Sequence, residues 1–155
     1  MDISRITDSV YVSARVRYKD LEAVLQLDPG LVISMILERR PPAFLSEHGL
    51  PVLWLRTVDL PLIPIPLRTL RRGVEAAVPV IDEGRRVLVF CQGGRHRSVA
   101  MACCILISTG LSAEEAMKLV DSRRAAADPW AWHIQRQIRR FETDWQSRSP
   151  QAPAL

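Results

Sequence analysis

Lysine is nearly missing from this chain: Lys19 and Lys118 stand against 19 arginines. With 17 acidic residues the net charge is +4, which mildly favours anionic partners such as phosphate esters and selects no function by itself. The arginines come as scattered pairs (Arg39-Arg40, Arg71-Arg72, Arg85-Arg86, Arg123-Arg124, Arg139-Arg140), so solvated helix faces and loops are expected, with no nucleic-acid footprint. Cysteine is scarce too. Of three, Cys103 and Cys104 are adjacent, which makes neither a disulfide framework nor a zinc-ligand spacing. Reduced thiols in a reducing compartment fit better. Aromatics make up 6% of the chain, and Trp54, Trp130, Trp132 and Trp145 read as packing residues. No apolar run approaches the roughly 20 residues that span a bilayer. The start, Met1-Asp2-Ile3-Ser4-Arg5-Ile6, lacks a signal-peptide pattern, so the expected setting is cytoplasmic. No repeat or interior linker divides the 155 residues. One domain is expected over 1–146, followed by a disordered tail at 147–155.

What is present is an alternation of strand-like and helix-like segments. Ile3–Ile6 and Val10–Ser13, parted by Thr7-Asp8-Ser9, predict a hairpin. Leu21, Val24, Leu25 and Leu27 recur at helical spacing, and Asp28-Pro29-Gly30 stops that helix. Leu31–Leu37, Val52–Leu55 and Val87–Phe90 are short unbroken apolar runs, the pattern of strands buried on both faces in a parallel sheet. Three prolines within Asp59–Pro66 predict a stiff, extended loop. A helix follows from Leu67, kinked or ended near Pro79. Ser98–Thr109 predicts an apolar helix closed by Gly110, and Ser112-Ala113-Glu114-Glu115 a capping box opening the next. A last helix is expected over Pro129–Trp145 with Asp128 as its N-cap. The fold class is α/β: a central, mostly parallel sheet flanked by helices.

The informative stretch is Val87-Leu88-Val89-Phe90-Cys91-Gln92-Gly93-Gly94-Arg95-His96-Arg97-Ser98. It reads as a buried strand, a tight glycine-bearing loop and a helix start, and open α/β sheets place ligand sites at the carboxyl ends of strands. Loop N–H groups from Gln92, Gly93, Gly94, Arg95 and His96 can turn inward as a nest for an anion, aided by the helix dipole. The same field favours a thiolate at Cys91. Arg97 can hold two phosphoryl oxygens through its planar fork, and Ser98 can donate to the sulfur when it becomes a leaving group. A bare Cys-x5-Arg is weak, since chance supplies about 0.4 matches in such a composition. Adding the fourth-position glycine and the serine after arginine lowers this to about two in a thousand.

These residues resemble the Cys-x-x-Gly-x-x-Arg-Ser/Thr signature of the protein tyrosine and dual-specificity phosphatases, over about Ile3 to Phe141. The short length resembles the compact dual-specificity branch. The resemblance implies hydrolysis of phosphotyrosine, and of phosphoserine or phosphothreonine, through a phosphocysteine, with no cofactor and no metal. It also implies a departure. The family usually has histidine before the nucleophile, and Phe90 here removes a hydrogen bond that orders the loop. Expulsion of the leaving oxygen needs an acid. Asp59, just past the Val52–Leu55 run, is the candidate, and Asp59-x-Pro-x-x-Pro is similar to the acid loop of small family members. If the Val52–Leu55 and Val87–Phe90 strands are neighbours, Asp59 and Cys91 share one rim.

Arg95 and His96 add positive charge at the pocket mouth, which suits acidic phosphopeptides or phosphoinositides equally with plain solvent exposure. His48 and His133 read as structural. Cys103 and Cys104 read as core residues, with a redox partner for Cys91 as the sharper alternative. Three further functions stay open: a phosphatase of phosphoinositides or other non-protein esters, a rhodanese-type sulfurtransferase, and an inactive phosphate-binding module.

Overall fold

The computed structural model describes residues 1–148. Strands β1 (Ile3–Arg5) and β2 (Val10–Ser13) form the expected antiparallel hairpin. A short 3-10 turn at Tyr18–Asp20 leads into α1 (Leu21–Leu27), which Asp28 ends in the left-handed conformation at φ 51°. Strand β3 (Pro29–Ile36), helix α2 (Ala43–Glu47), strand β4 (Val52–Thr57) and helix α3 (Leu67–Asp82) follow. Strand β5 (Arg86–Phe90) then precedes α4 (Arg97–Ser108), α5 (Ala113–Arg123) and α6 (Trp132–Arg148). The five strands make one sheet in the order β1-β2-β5-β3-β4. Only β1 is antiparallel; β2, β5, β3 and β4 run parallel.

Continuous apolar runs become the middle of this sheet because only strands covered on both faces tolerate them. Every residue of β3 is buried, as are Val87, Leu88, Val89 and Phe90 of β5. Helices α3 and α4 pack against each other over the sheet, and α5 and α6 pack on α4. Gly73 permits that close approach, since a Cβ there would stand 2.3 Å from the Met101 sulfur. No helix among the described residues is long and apolar enough to cross a membrane.

Several boundaries differ from expectation. Strand β4 pairs with β3 and lies at the sheet edge, not beside β5, and Val52, Leu53 and Trp54 are only half-buried. An apolar run cannot by itself tell an edge from a centre. Pro79 neither ends nor breaks α3, which continues to Asp82. Helix α6 starts at Trp132; Asp128 and Pro129 precede it as a turn, where the Asp128 N–H donates to the Arg95 carbonyl (3.0 Å). Of the expected tail, Ser147 and Arg148 are the last residues of α6, and 149–155 lie outside the described residues. The shared direction of the four parallel strands is what positions the site. Their carboxyl ends at Ser13, Ile36, Thr57 and Phe90 open on one rim, and there the segments carrying Arg15, Glu38, Asp59 and Cys91 begin.

Candidate active site

Cys91 directly follows β5, is 3% exposed, and its sulfur meets two groups. The Gly94 N–H donates to Sγ (3.2 Å), and Ser98 Oγ lies 3.1 Å away. The loop thus folds back on its own thiol, with Gly94 at φ +63° making the turn. His96 is the N-cap of α4 but caps no N–H with its side chain, so the first-turn N–H groups of α4 stay available to an anion. Phe90 is buried in the core and offers no polar atom, so the hydrogen bonds on the Cys91 sulfur come from within the loop.

Arg97 is 5% exposed and is held from the ends of two strands, β3 and β4. Its Nη1 donates to the carbonyls of Thr57 (2.7 Å) and Met35 (3.2 Å), and its fork faces the Glu38 carboxylate at 3.4–3.5 Å. Hydrogen bonding to its own backbone N–H, then to Arg97, outweighs desolvation and holds the Glu38 carboxyl below its ordinary range. The Nε of Arg97 is buried without a partner.

Arg124 holds the loop from behind. Its Nε donates to the Gly94 carbonyl (2.6 Å), and its fork takes both Asp2 oxygens (3.0 and 2.8 Å) and Ser4 Oγ (3.2 Å). Tying down the Gly94 carbonyl on that side leaves the Gly94 N–H turned to Cys91. The expectation of a solvated Arg123-Arg124 pair fails at Arg124, which is 1% exposed. Its acceptors Asp2, Ser4 and Val12 lie more than a hundred residues away in the β1–β2 region, a separation that no local pattern records.

Asp59 follows β4 by two residues and is clasped by two imidazoles. Oδ2 lies 2.8 Å from His96 Nδ1, and Oδ1 lies 3.0 Å from His133 Nε2. Burial pulls the carboxyl upward, but the hydrogen bonds from His133 and His96, with their charge, hold it below the ordinary aspartate range. The structure therefore brings Asp59 onto the flank of the Cys91–Arg97 loop through His96. His133, expected to be merely structural, is part of this cluster because α6 returns across the rim; the lone histidine carried no spacing signal. The proline-bearing loop after β4 is pinned from the same helix, Gln137 Nε2 donating to the Ile65 carbonyl (2.6 Å). Arg95 points outward to Asp128 (3.5 Å). Cys103 and Cys104 are fully buried, and burial pushes both thiols up, which fits packing and opposes ready oxidation. Trp132, expected in the packing, is 57% exposed.

Beside the loop lies a cleft of about 340 Å³ walled by Phe90, Ser34, Ile36, Tyr18 and Phe44 and rimmed by Arg15, Arg17, Arg39 and Arg40. The Arg15 N–H donates to the Gln92 carbonyl (3.2 Å), which joins the cleft to the Cys91–Arg97 loop.

A buried thiol that accepts from the Gly94 N–H and a clamped arginine stand together at the carboxyl ends of a parallel sheet. No family model and no curated protein matches the sequence. Solved structures do match: the chain has the fold of the small dual-specificity phosphatases. Human DUSP28 shares 23% identity at a TM-score of 0.83, over 94% of this chain and 99% of that one. PTPMT1, in complex with PI(5)P, shares 23% at 0.80, over 96% and 99%. A human tyrosine phosphatase-like serine/threonine/tyrosine-interacting protein shares 20% at 0.80, over 94% and 98%.

Proposed function

We propose that this chain is a cysteine-dependent phosphatase of phosphoric monoesters, acting on phosphotyrosine and on phosphoserine or phosphothreonine in a reducing, cytoplasmic setting. The observation that carries the reading is the Arg97 guanidinium: buried, clamped by Thr57 and Met35, and still holding an Nε without an acceptor in the same loop as Cys91. A phosphoryl oxygen supplies that acceptor. Cys91 Sγ attacks phosphorus, forming the S–P bond as the ester P–O bond breaks, and the proton that Asp59 shares with His96 and His133 passes through Asp59 to the departing oxygen. Water then attacks phosphocysteine, giving a proton back to Asp59, while Ser98 Oγ donates to the departing sulfur. Loop N–H groups and Arg97 hold the equatorial oxygens through both steps. His96 and His133 orient the Asp59 carboxylate.

Phosphate release from p-nitrophenyl phosphate and phosphotyrosine peptides, with chelator present, tests this. Cys91→Ser abolishes release, and Asp59→Ala lowers it on the order of 10²–10⁴-fold for poor leaving groups. Release that survives Cys91→Ser sinks the reading. Thiosulfate-to-cyanide transfer without phosphate release favours a sulfurtransferase, and phosphopeptide binding without turnover favours an inactive module; the Cys-x5-Arg spacing and intact Cys91, Arg97 and Ser98 weigh against both.

A second substrate reading rests on the arginine-rimmed cleft beside Phe90. Four guanidinium groups next to the phosphate loop suit an ester carrying a further anionic group, such as a phosphoinositide. The PTPMT1 structure holds such a ligand.

A further inference from the structure

Asp59 is reached from two directions by histidines on different elements, although the chain has only three. His96 comes from the phosphate loop and His133 from the first turn of α6, and the ligand atoms of all three residues lie within 4.8 Å of one another. We infer that Asp59, His96 and His133 form a site for a transition-metal ion of the Zn²⁺ class, whose occupancy blocks the proton donor. The regulatory consequence rests on the proposed role of Asp59; the binding itself does not.

The geometry suits such an ion. Tetrahedral zinc with bonds of about 2.0–2.1 Å sets its ligand atoms about 3.4 Å apart. The present separations lie near that value: 2.8 Å between Asp59 and His96, 3.0 Å between Asp59 and His133, and at most 4.8 Å for the remaining pair. Shifts of less than about 1.5 Å in three side chains complete the site. Two imidazoles and one carboxylate make a donor set that leaves the fourth position to water, and it favours Zn²⁺, Co²⁺, Ni²⁺ or Cu²⁺ over the oxygen-seeking Mg²⁺ and Ca²⁺.

The surroundings carry an independent sign. His96 presents Nδ1 to Asp59, while its Nε2 is buried, makes no hydrogen bond, and sits 3.5 Å from Asp128 Oδ2. A histidine ligating through Nδ1 carries its proton on Nε2, and a carboxylate there is the usual orienting partner of a metal-bound imidazole. The Asp59 side chain is 33% exposed, so an ion reaches it from solvent. On binding, the ligands act as carboxylate and two neutral imidazoles, and any proton bridging the Asp59–histidine pairs leaves to water. No redox step is involved. Asp59 then has no proton to give, and the cation's charge lowers its basicity, so it takes one less readily.

The test is titration of the full-length, metal-free Cys91→Ser protein with Co²⁺, read by its visible d–d absorption. The expected result is one equivalent of a four-coordinate spectrum, kept in His48→Ala and lost in His133→Ala and in His96→Ala, with circular dichroism showing those variants folded. His48 is the control because its ring is engaged with the Phe44 carbonyl on α2. Asp128→Asn should weaken Co²⁺ binding about 10–100-fold. Wild-type phosphate release should be inhibited by Zn²⁺ and restored by chelator. Absence of a four-coordinate spectrum in Cys91→Ser overturns the proposal. So does a wild-type spectrum dominated by thiolate charge transfer that vanishes in Cys91→Ser, or a spectrum that persists when both His96 and His133 are alanine. Because binding is read in a variant without the nucleophile, its outcome is separate from whether the wild type is a phosphatase.

Discussion

Gly94 is required for what it lacks. A Cβ there would stand 2.4 Å from Arg124 Nη2, 2.7 Å from the Ser13 carbonyl and 2.8 Å from the Ala14 nitrogen, at a φ of +63° that side chains avoid. Two of those three neighbours are backbone and cannot swing aside. Gly94→Ala should therefore cost on the order of 2–3 kcal/mol in urea unfolding and remove phosphate release. Gly93→Ala, with nothing within 4 Å, should leave the unfolding midpoint in place. Arg124 makes a second, pH-dependent demand. Its hydrogen bond is the largest influence lowering the Asp2 carboxyl, ahead of desolvation. A carboxyl whose folded value is depressed adds stability above its unfolded value of about 3.9, and loses it as pH falls through the lower folded value. Urea midpoints of wild type should fall more steeply than those of Asp2→Asn as pH drops through that window; parallel curves would refute the linkage. The effect is modest because Asp2 is well exposed. At this scale the motif residues were legible, since Cys91 through Ser98 are contiguous. Arg124, Glu38 and His133 were not, because each reaches the site across 30 or more residues of chain.

The elements show which local rules survive folding. Ser112 and Glu115 form the capping box of α5 as expected, Ser112 Oγ accepting from the Glu115 N–H (3.1 Å) and Glu115 accepting from the Ser112 N–H (3.0 Å). Ser112→Ala should cost about 1 kcal/mol in chemical denaturation without altering Zn²⁺ inhibition. Gly110, at φ 118°, follows Thr109, the C-cap of α4, as its helix-stop role requires. Helix α2 was not foreseen, since five residues between Pro42 and Gly49 carry too short a pattern. The start of α6 was misplaced by three residues. Asp128 serves instead as a partner of Arg95 and His96, so its side chain has a tertiary role, not a capping one.

For the molecule as a whole, the consequence of the sheet order is a basic face. The cleft edged by Arg15, Arg17, Arg39 and Arg40 adjoins the Cys91–Arg97 loop, and on the proposed function their positive field should act on substrates with more than one anionic group. Arg39→Ala combined with Arg40→Ala should raise KM for a phosphoinositide at least about tenfold, as loss of a charged hydrogen bond implies, while sparing p-nitrophenyl phosphate. Equal losses on both substrates would argue against the cleft as a second anion subsite. The sequence by itself determined the α/β alternation, the hairpin, and the thiol–glycine–arginine–serine loop between a buried strand and a helix, because each depends on neighbours within a few residues. Only the tertiary structure decided that β3 intervenes between β4 and β5, that Arg124 grips the loop from behind, and that two histidines close on Asp59. The reason is physical: a hydrogen bond between groups 30 to 120 residues apart leaves no periodicity in either segment, so it exists only once the chain has packed.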